Sequence, residues 1–244
     1  MEKHKGFTVI EVMLFLAITG LIMSFMLVGL STGINRERYR DAVNSYINFW
    51  QGQYNAVTNV SNNRVPSDVC DDTNAAIIEG ASIPDGGAGT SDCTIVGRVI
   101  YNSADGKTEY FSTVYSAVDV SAAPTLVGQS DTAVLKAAKL FMSPDKDAYE
   151  LAWGASVGKV GANSTVNDHS VLIVRMPTNG QIHTYYLDST NKLPSEILDL
   201  GSTNADATFC VAGAGLTLTA SQGVILRADA SNSSGVVFAP EGVC

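Results

Sequence analysis

Histidine is scarce in this chain, and so are the motifs that usually accompany chemistry. There are three histidines among 244 residues. His4 stands near the start, and His169 and His183 read as strand residues rather than a catalytic pair. No Gly-x-Ser-x-Gly elbow, His-Glu-x-x-His pair or Walker loop occurs. Gly213-Ala214-Gly215 lacks the third glycine and the following helix that a phosphate cradle needs. No enzyme is expected, and no cofactor. Charge is thin too, at 16% of residues, and basic groups are fewer than acidic ones, 15 against 24. The net charge of −9 repels phosphates, so direct nucleic-acid binding is not expected.

Cysteine is sparse, and none of it lies in a Cys-x-x-Cys pair, which removes the usual zinc spacing. Asp145-Lys146-Asp147, and Asp71-Asp72 with Asn74, do not follow EF-hand spacing and read as solvated turn acids, so no metal site is expected. The four cysteines are Cys70, Cys93, Cys210 and Cys244. An even number, widely spaced, reads as two disulfides formed in an oxidising compartment. Three pairings are open. Cys70–Cys93 with Cys210–Cys244 is favoured because each closes a local loop, removing about 3–4 kcal/mol of unfolded-state entropy in the chain-entropy model.

What the chain does have is one long apolar block. After the short polar segment Met1-Glu2-Lys3-His4-Lys5-Gly6, residues 7–30 carry a single formal charge, Glu11. As a helix this block would be about 36 Å long, enough to cross a hydrocarbon core of about 30 Å, so one membrane anchor is predicted. Glu11 is the anomaly. A carboxylate inside a spanning helix costs about 2–3 kcal/mol on insertion scales unless it is paired or protonated. A secretory signal has no use for it, and Gly29-Leu30-Ser31 is a poor cleavage site. Arg36, Arg38 and Arg40 outnumber Lys3 and Lys5, which by the positive-inside count favours an internal C-terminal side. The cysteines and the Gly/Ser/Thr/Asn-rich composition argue for the outside, and that orientation is taken.

Lys5-Gly6-Phe7-Thr8-Val9-Ile10-Glu11-Val12-Met13 resembles the class III signal of type IV prepilins and type II secretion pseudopilins. The resemblance implies cleavage after Gly6 by a prepilin peptidase and methylation of the new amine on Phe7. It also implies that Glu11 pairs with the N-terminal amine of a neighbouring subunit during assembly. Each charge is expensive alone in an apolar bundle and tolerable when paired. The implied partners are other pilin subunits through the N-terminal helix, the peptidase and a membrane assembly platform. Where main-chain pilins often carry a proline this chain has Val28, with Gly20, Gly29 and Gly33 its only helix-weakening residues there. That departure points toward a minor pilin or pseudopilin. The segments 176–180 and 238–242, with Cys210-Val211, also resemble the H-type minor pseudopilins. The family's C-terminal disulfide loop matches Cys210 with Cys244.

Val43, Ile47, Trp50, Tyr54 and Val57 recur at helical spacing, so the helix is expected to continue to about residue 57 with one apolar face. Beyond residue 61 the signals become turns and strands. Strands at 94–101 and 107–118 flank Asn102-Ser103-Ala104-Asp105-Gly106, and strands at 170–176 and 181–187 flank Pro177-Thr178-Asn179-Gly180. Shorter strands are expected at 208–211, 223–228 and 235–239, and one helix over 132–142. The expected organisation is a leader (1–6), a membrane and assembly half-helix (7–30), an amphipathic half-helix (31–60) and an extracytoplasmic β-rich domain (61–244). The fold class is α+β, a long N-terminal helix on a largely antiparallel sheet, pilin-like. Three roles follow as expectations: a type IV pilus subunit serving adhesion, motility or DNA uptake, a secretion pseudopilin, or an anchored binding domain that never polymerises. The first two begin in the inner membrane, and the pilus subunit ends in a surface filament.

Overall fold

In the computed structural model, described residues are 8–60, 69–71, 74–78, 93–118, 128–158, 168–213, 222–228, 230–240 and 242–244. The chain divides into two units, Met1–Asp41 and Ala42–Cys244. The fold class is α+β with antiparallel sheets, as expected.

Helix α1 covers Val9–Asn59. Its part in the first unit is exposed along almost its whole length, apolar residues included. Its part in the second unit, residues 42–59, behaves as the apolar spacing predicts: Val43, Ile47, Trp50, Tyr54 and Val57 are all buried, while Asn44 and Asn48 face solvent.

The second unit is built on the strands β3 (Thr94–Asn102), β4 (Thr108–Ser116), β5 (Leu140–Met142), β6 (Asp147–Glu150), β8 (Ser170–Arg175) and β9 (Ile182–Leu187). They form an antiparallel sheet in the order β5-β4-β3-β8-β9, with β6 also paired to β4. The register Arg98↔Thr113, Ile100↔Phe111 and Asn102↔Glu109 places these six residues on one face, because side chains alternate along a strand. That face meets α1: Phe49 packs edge-on to Phe111 with centroids 5.7 Å apart, and the Tyr54 and Thr184 hydroxyls lie 2.8 Å apart. The opposite face carries Val99, Val114, Leu172 and Val174. They pack with Val134 and Leu135 of α2 (Asp131–Ala137) and Ile197 of α3 (Pro194–Leu200).

A second sheet contains β7 (Ser156–Gly158), β10 (Ala207–Ala212), β11 (Gln222–Leu226) and β12 (Val236–Phe238), in the order β12-β11-β10-β7. Its Phe209 stacks on Trp50 at 5.3 Å with ring planes 7° apart. A small hairpin pairs β1 (Val69–Asp71) with β2 (Ala76–Ile78), and its Ile77 packs near Tyr115 and Phe141.

Gly97 and Gly223 are among the glycines required by close approach. A Cβ at Gly97 would run into the Ile173 carbonyl of β8, the strand paired beside β3, just past the irregular register at Ile95. A Cβ at Gly223 would lie 2.6 Å from the Cys244 sulfur.

The expected helix over 132–142 is corrected. Ser130 caps α2 by accepting from the Ala133 amide at 3.3 Å, and the helix gives out after Ala137. Lys139 turns the chain at φ 51°, and residues 140–142 become β5. The gain is tertiary, since Phe141 stacks on Tyr115 with centroids 5.6 Å apart. Helix α3 and the short strands β1, β2, β6 and β7 were not expected from the sequence. Pro194 opens α3 at a position where a missing N–H costs nothing, and the Glu196 carboxylate accepts from the Leu193 amide at 3.0 Å.

Candidate functional site

The candidate site begins where α1 begins. Thr8 stands before the first helical residue, and its carbonyl accepts the first helical bond from Val12 at 3.2 Å. The Thr8 amide and hydroxyl both donate to Glu11 Oε2, at 3.0 and 3.1 Å. The Glu11 amide in turn donates to Thr8 Oγ1 at 3.3 Å. This reciprocal arrangement is a capping box, which satisfies helix-end amides and holds a negative charge at the positive end of the helix dipole. Its sequence signal is Thr8-x-x-Glu11 ahead of an apolar run. Gly6 and Phe7 lie outside the described residues.

Val9–Leu27 is long and apolar enough to cross a membrane, and it is unburied within the chain. At 1.5 Å per residue it is about 28 Å long. Its other polar side chains are satisfied within the helix. Thr19 Oγ1 donates to the Phe15 carbonyl at 2.8 Å, and Ser24 Oγ to the Gly20 carbonyl at 2.9 Å. This is what hydrocarbon requires, because unsatisfied polar groups there cost several kcal/mol each, on the order of 2–7. Past the apolar stretch, Arg40 and Glu37 pair at 3.2 Å on the helix surface.

Cys210 and Cys244 are bonded, with Cα atoms 5.5 Å apart, and tie the last residue of this chain to β10. Cys93 is also disulfide-bonded. The Cys70 side chain lies outside the described residues.

The sequence did not signal a buried polar cluster under residues 42–59 of α1. Tyr46 donates to Glu109 Oε1 at 2.8 Å, and Glu109 Oε2 lies 3.2 Å from His169 Nε2. Glu109 and His169 side chains are both fully buried. Burial first, and the neighbouring Glu109 charge second, push the Tyr46 phenol well above its ordinary range. His169, read as a strand residue, sits just before β8 and packs 4.5 Å from the Phe209 ring centre. Without solvent access, this group joins helix to sheet. His183 does lie in β9, where Nε2 meets Asp131 Oδ2 of α2 at 3.0 Å. Next to it, the Thr132 and Tyr185 hydroxyls are 3.0 Å apart.

Among the described residues no three His, Cys, Asp or Glu side chains gather as metal ligands. Asp71 is spent on its own turn, accepting from the Asn74 amide at 3.1 Å and from Asn74 Nδ2 at 2.6 Å.

The fold and site together describe a chain with an exposed, capped apolar helix and a disulfide-stapled α+β body. No family model, no curated protein and no solved structure matches it.

Proposed function

We propose that this chain is a filament subunit of the type IV pilin class, made as a prepilin and polymerised through α1. One observation carries the reading: the apolar stretch 7–30 has a single formal charge, Glu11, placed four residues after Phe7 of the Gly6/Phe7 junction. Exposed apolar side chains such as Phe15, Leu16, Phe25 and Met26 each forfeit roughly 1.5–3 kcal/mol if left in water. A membrane, and then a bundle of like helices, relieves that cost in turn.

In this reading the helix first anchors the chain in the inner membrane with the body outside. Prepilin peptidase cuts after Gly6, the Phe7 amine is methylated, and the assembly platform lifts the helix into a filament. Glu11 already holds its own helix end through Oε2, and among the described residues nothing donates to its other oxygen, which is left for a neighbour's amine. The body coats the filament and serves adhesion, motility or DNA uptake without binding nucleic acid itself.

A type II secretion pseudopilin is the second reading. Val28 favours it, standing where main-chain pilins often have proline. The secretin and sibling pseudopilins of a secretion system, co-purified or encoded alongside, separate the two.

The N-terminal residue and mass of the mature chain test the proposal. A methylated Phe7 is expected. Retention of Met1, or a start near Thr32, overturns it and returns the chain to the class of anchored or secreted domains.

A further inference from the structure

On the helix-packed face of the larger sheet, β3 carries one charged side chain. Arg98 of β3 stands opposite Thr113 and is only partly exposed. Its Nη1 donates to Gln53 Oε1 at 3.1 Å, and its Cζ lies 5.4 Å from the Phe111 ring centre. A guanidinium has five N–H donors. Among the described residues no carboxylate comes within ion-pair distance of it. Burial pulls Arg98 below the ordinary guanidinium value, and the Asp147 charge offsets part of that.

Arg98 lines an open cavity of about 320 Å³. That size is at the small end of ligand pockets and suits one small molecule. Another wall is the segment between β5 and β6, and it is preformed. The Ser143 amide donates to the Thr113 carbonyl at 2.8 Å, and the Ser112 hydroxyl lies 2.8 Å from the Ser143 and Asp145 carbonyl oxygens. Asp145 and Asp147 contribute to this wall with exposed carboxylates that make no ion pair among the described residues. Lys146 also lines the cavity, with its ammonium 5.6 Å from the Tyr101 ring centre. One wall therefore offers unused guanidinium donors and the other offers two unpaired acids. A plain anion meets the aspartates, and a plain cation meets Arg98 and Lys146, whereas a molecule carrying both charges satisfies both walls.

We propose that this cavity binds a small zwitterion of the α-amino-acid class, with its carboxylate on Arg98 and its ammonium on Asp145 and Asp147. The site is independent of how α1 is used.

Calorimetric titration of the full chain in detergent micelles tests it, using the standard L-amino acids as probes and acetate, methylammonium and glucuronate as controls. At least one amino acid is expected to bind saturably, with every control at least tenfold weaker. Arg98→Gln and Asp147→Asn are each expected to weaken that binding at least tenfold. Asp147 is an exposed side chain, so Asp147→Asn keeps the wild-type thermal unfolding and decides the matter even if Arg98→Gln fails to fold. No saturable binding by any amino acid, a control that binds as well, or wild-type affinity in Asp147→Asn overturns the proposal.

Discussion

Glu109 on β4 and His169 before β8 meet at 3.2 Å with neither side chain exposed, and Tyr46 of α1 closes the group from above. A buried pair of this kind is costly to break and cheap to replace.

His169→Ala alone, or Glu109→Ala alone, is therefore expected to cost about 3–5 kcal/mol, because the remaining group is left buried without its partner. Replacing the whole group with apolar residues, Glu109→Leu with His169→Phe and Tyr46→Phe, leaves no buried polar atom of it unpaired and should cost less than either single change. Chemical denaturation of the three variants in one detergent checks this, and additive losses would contradict it.

Two roles of Glu11 separate by substitution. Glu11→Gln keeps an oxygen for the Thr8 amide but removes the charge, so incorporation into sheared surface filaments should be lost. Thr8→Ala removes half the capping box at a cost of about 1 kcal/mol to the helix end and should leave incorporation intact. Normal filaments from Glu11→Gln would make capping the residue's whole function.

Gly223→Ala forces a methyl group against the Cys244 sulfur, 2.6 Å from where the Cβ would stand, and against the Phe209 carbonyl. Free thiol titration should find Cys210 and Cys244 unpaired in part of the preparation. Cys210→Ser with Cys244→Ser should lower stability by about 4 kcal/mol, given the sequence separation of 34. A redox-insensitive melting temperature in the wild-type chain would argue against that figure.

Burial pushes the Tyr54 phenol up to about 12, against a counteracting hydrogen bond with Thr184. An acid whose folded pKa is raised holds its stabilisation in full below the unfolded value and loses it as pH rises. For Tyr54 that window runs from about 10 to 12, with a fall of about 1.4 kcal/mol per pH unit. Tyr54→Phe should flatten the stability profile there. An unchanged slope would assign the alkaline loss to other groups such as Tyr46, whose phenol is raised as well.

The apolar stripe Val43-Ile47-Trp50-Tyr54-Val57 was legible because helical spacing reports a buried face directly. Both hairpins were legible for a similar reason. Asp105 accepts from Ser103 Oγ at 2.6 Å and from the Lys107 amide at 3.1 Å, and Gly106 and Gly180 take positive φ, all properties of short turn strings. Residues 140–142 look helical in the sequence because the preceding helix pattern runs smoothly into them; pairing with β4, where Tyr115 stands opposite Phe141, makes them a strand. Helix α3 is hidden in the sequence because Leu193-Pro194-Ser195 looks like a turn until Glu196 reaches back to cap it.

The sequence by itself determined the local things: a capped apolar helix with one acid, a helical face to be covered, turn positions and the number of cysteines. These depend on residues within a few positions of each other, where spacing is distance. Tertiary structure alone decided that Glu109 faces His169, that Gly223 makes room for Cys244, and that Arg98 opens onto a cavity walled by Asp145 and Asp147. Those neighbours are set by strand register and by which sheet face meets which helix, and such contacts arise only when distant segments pack.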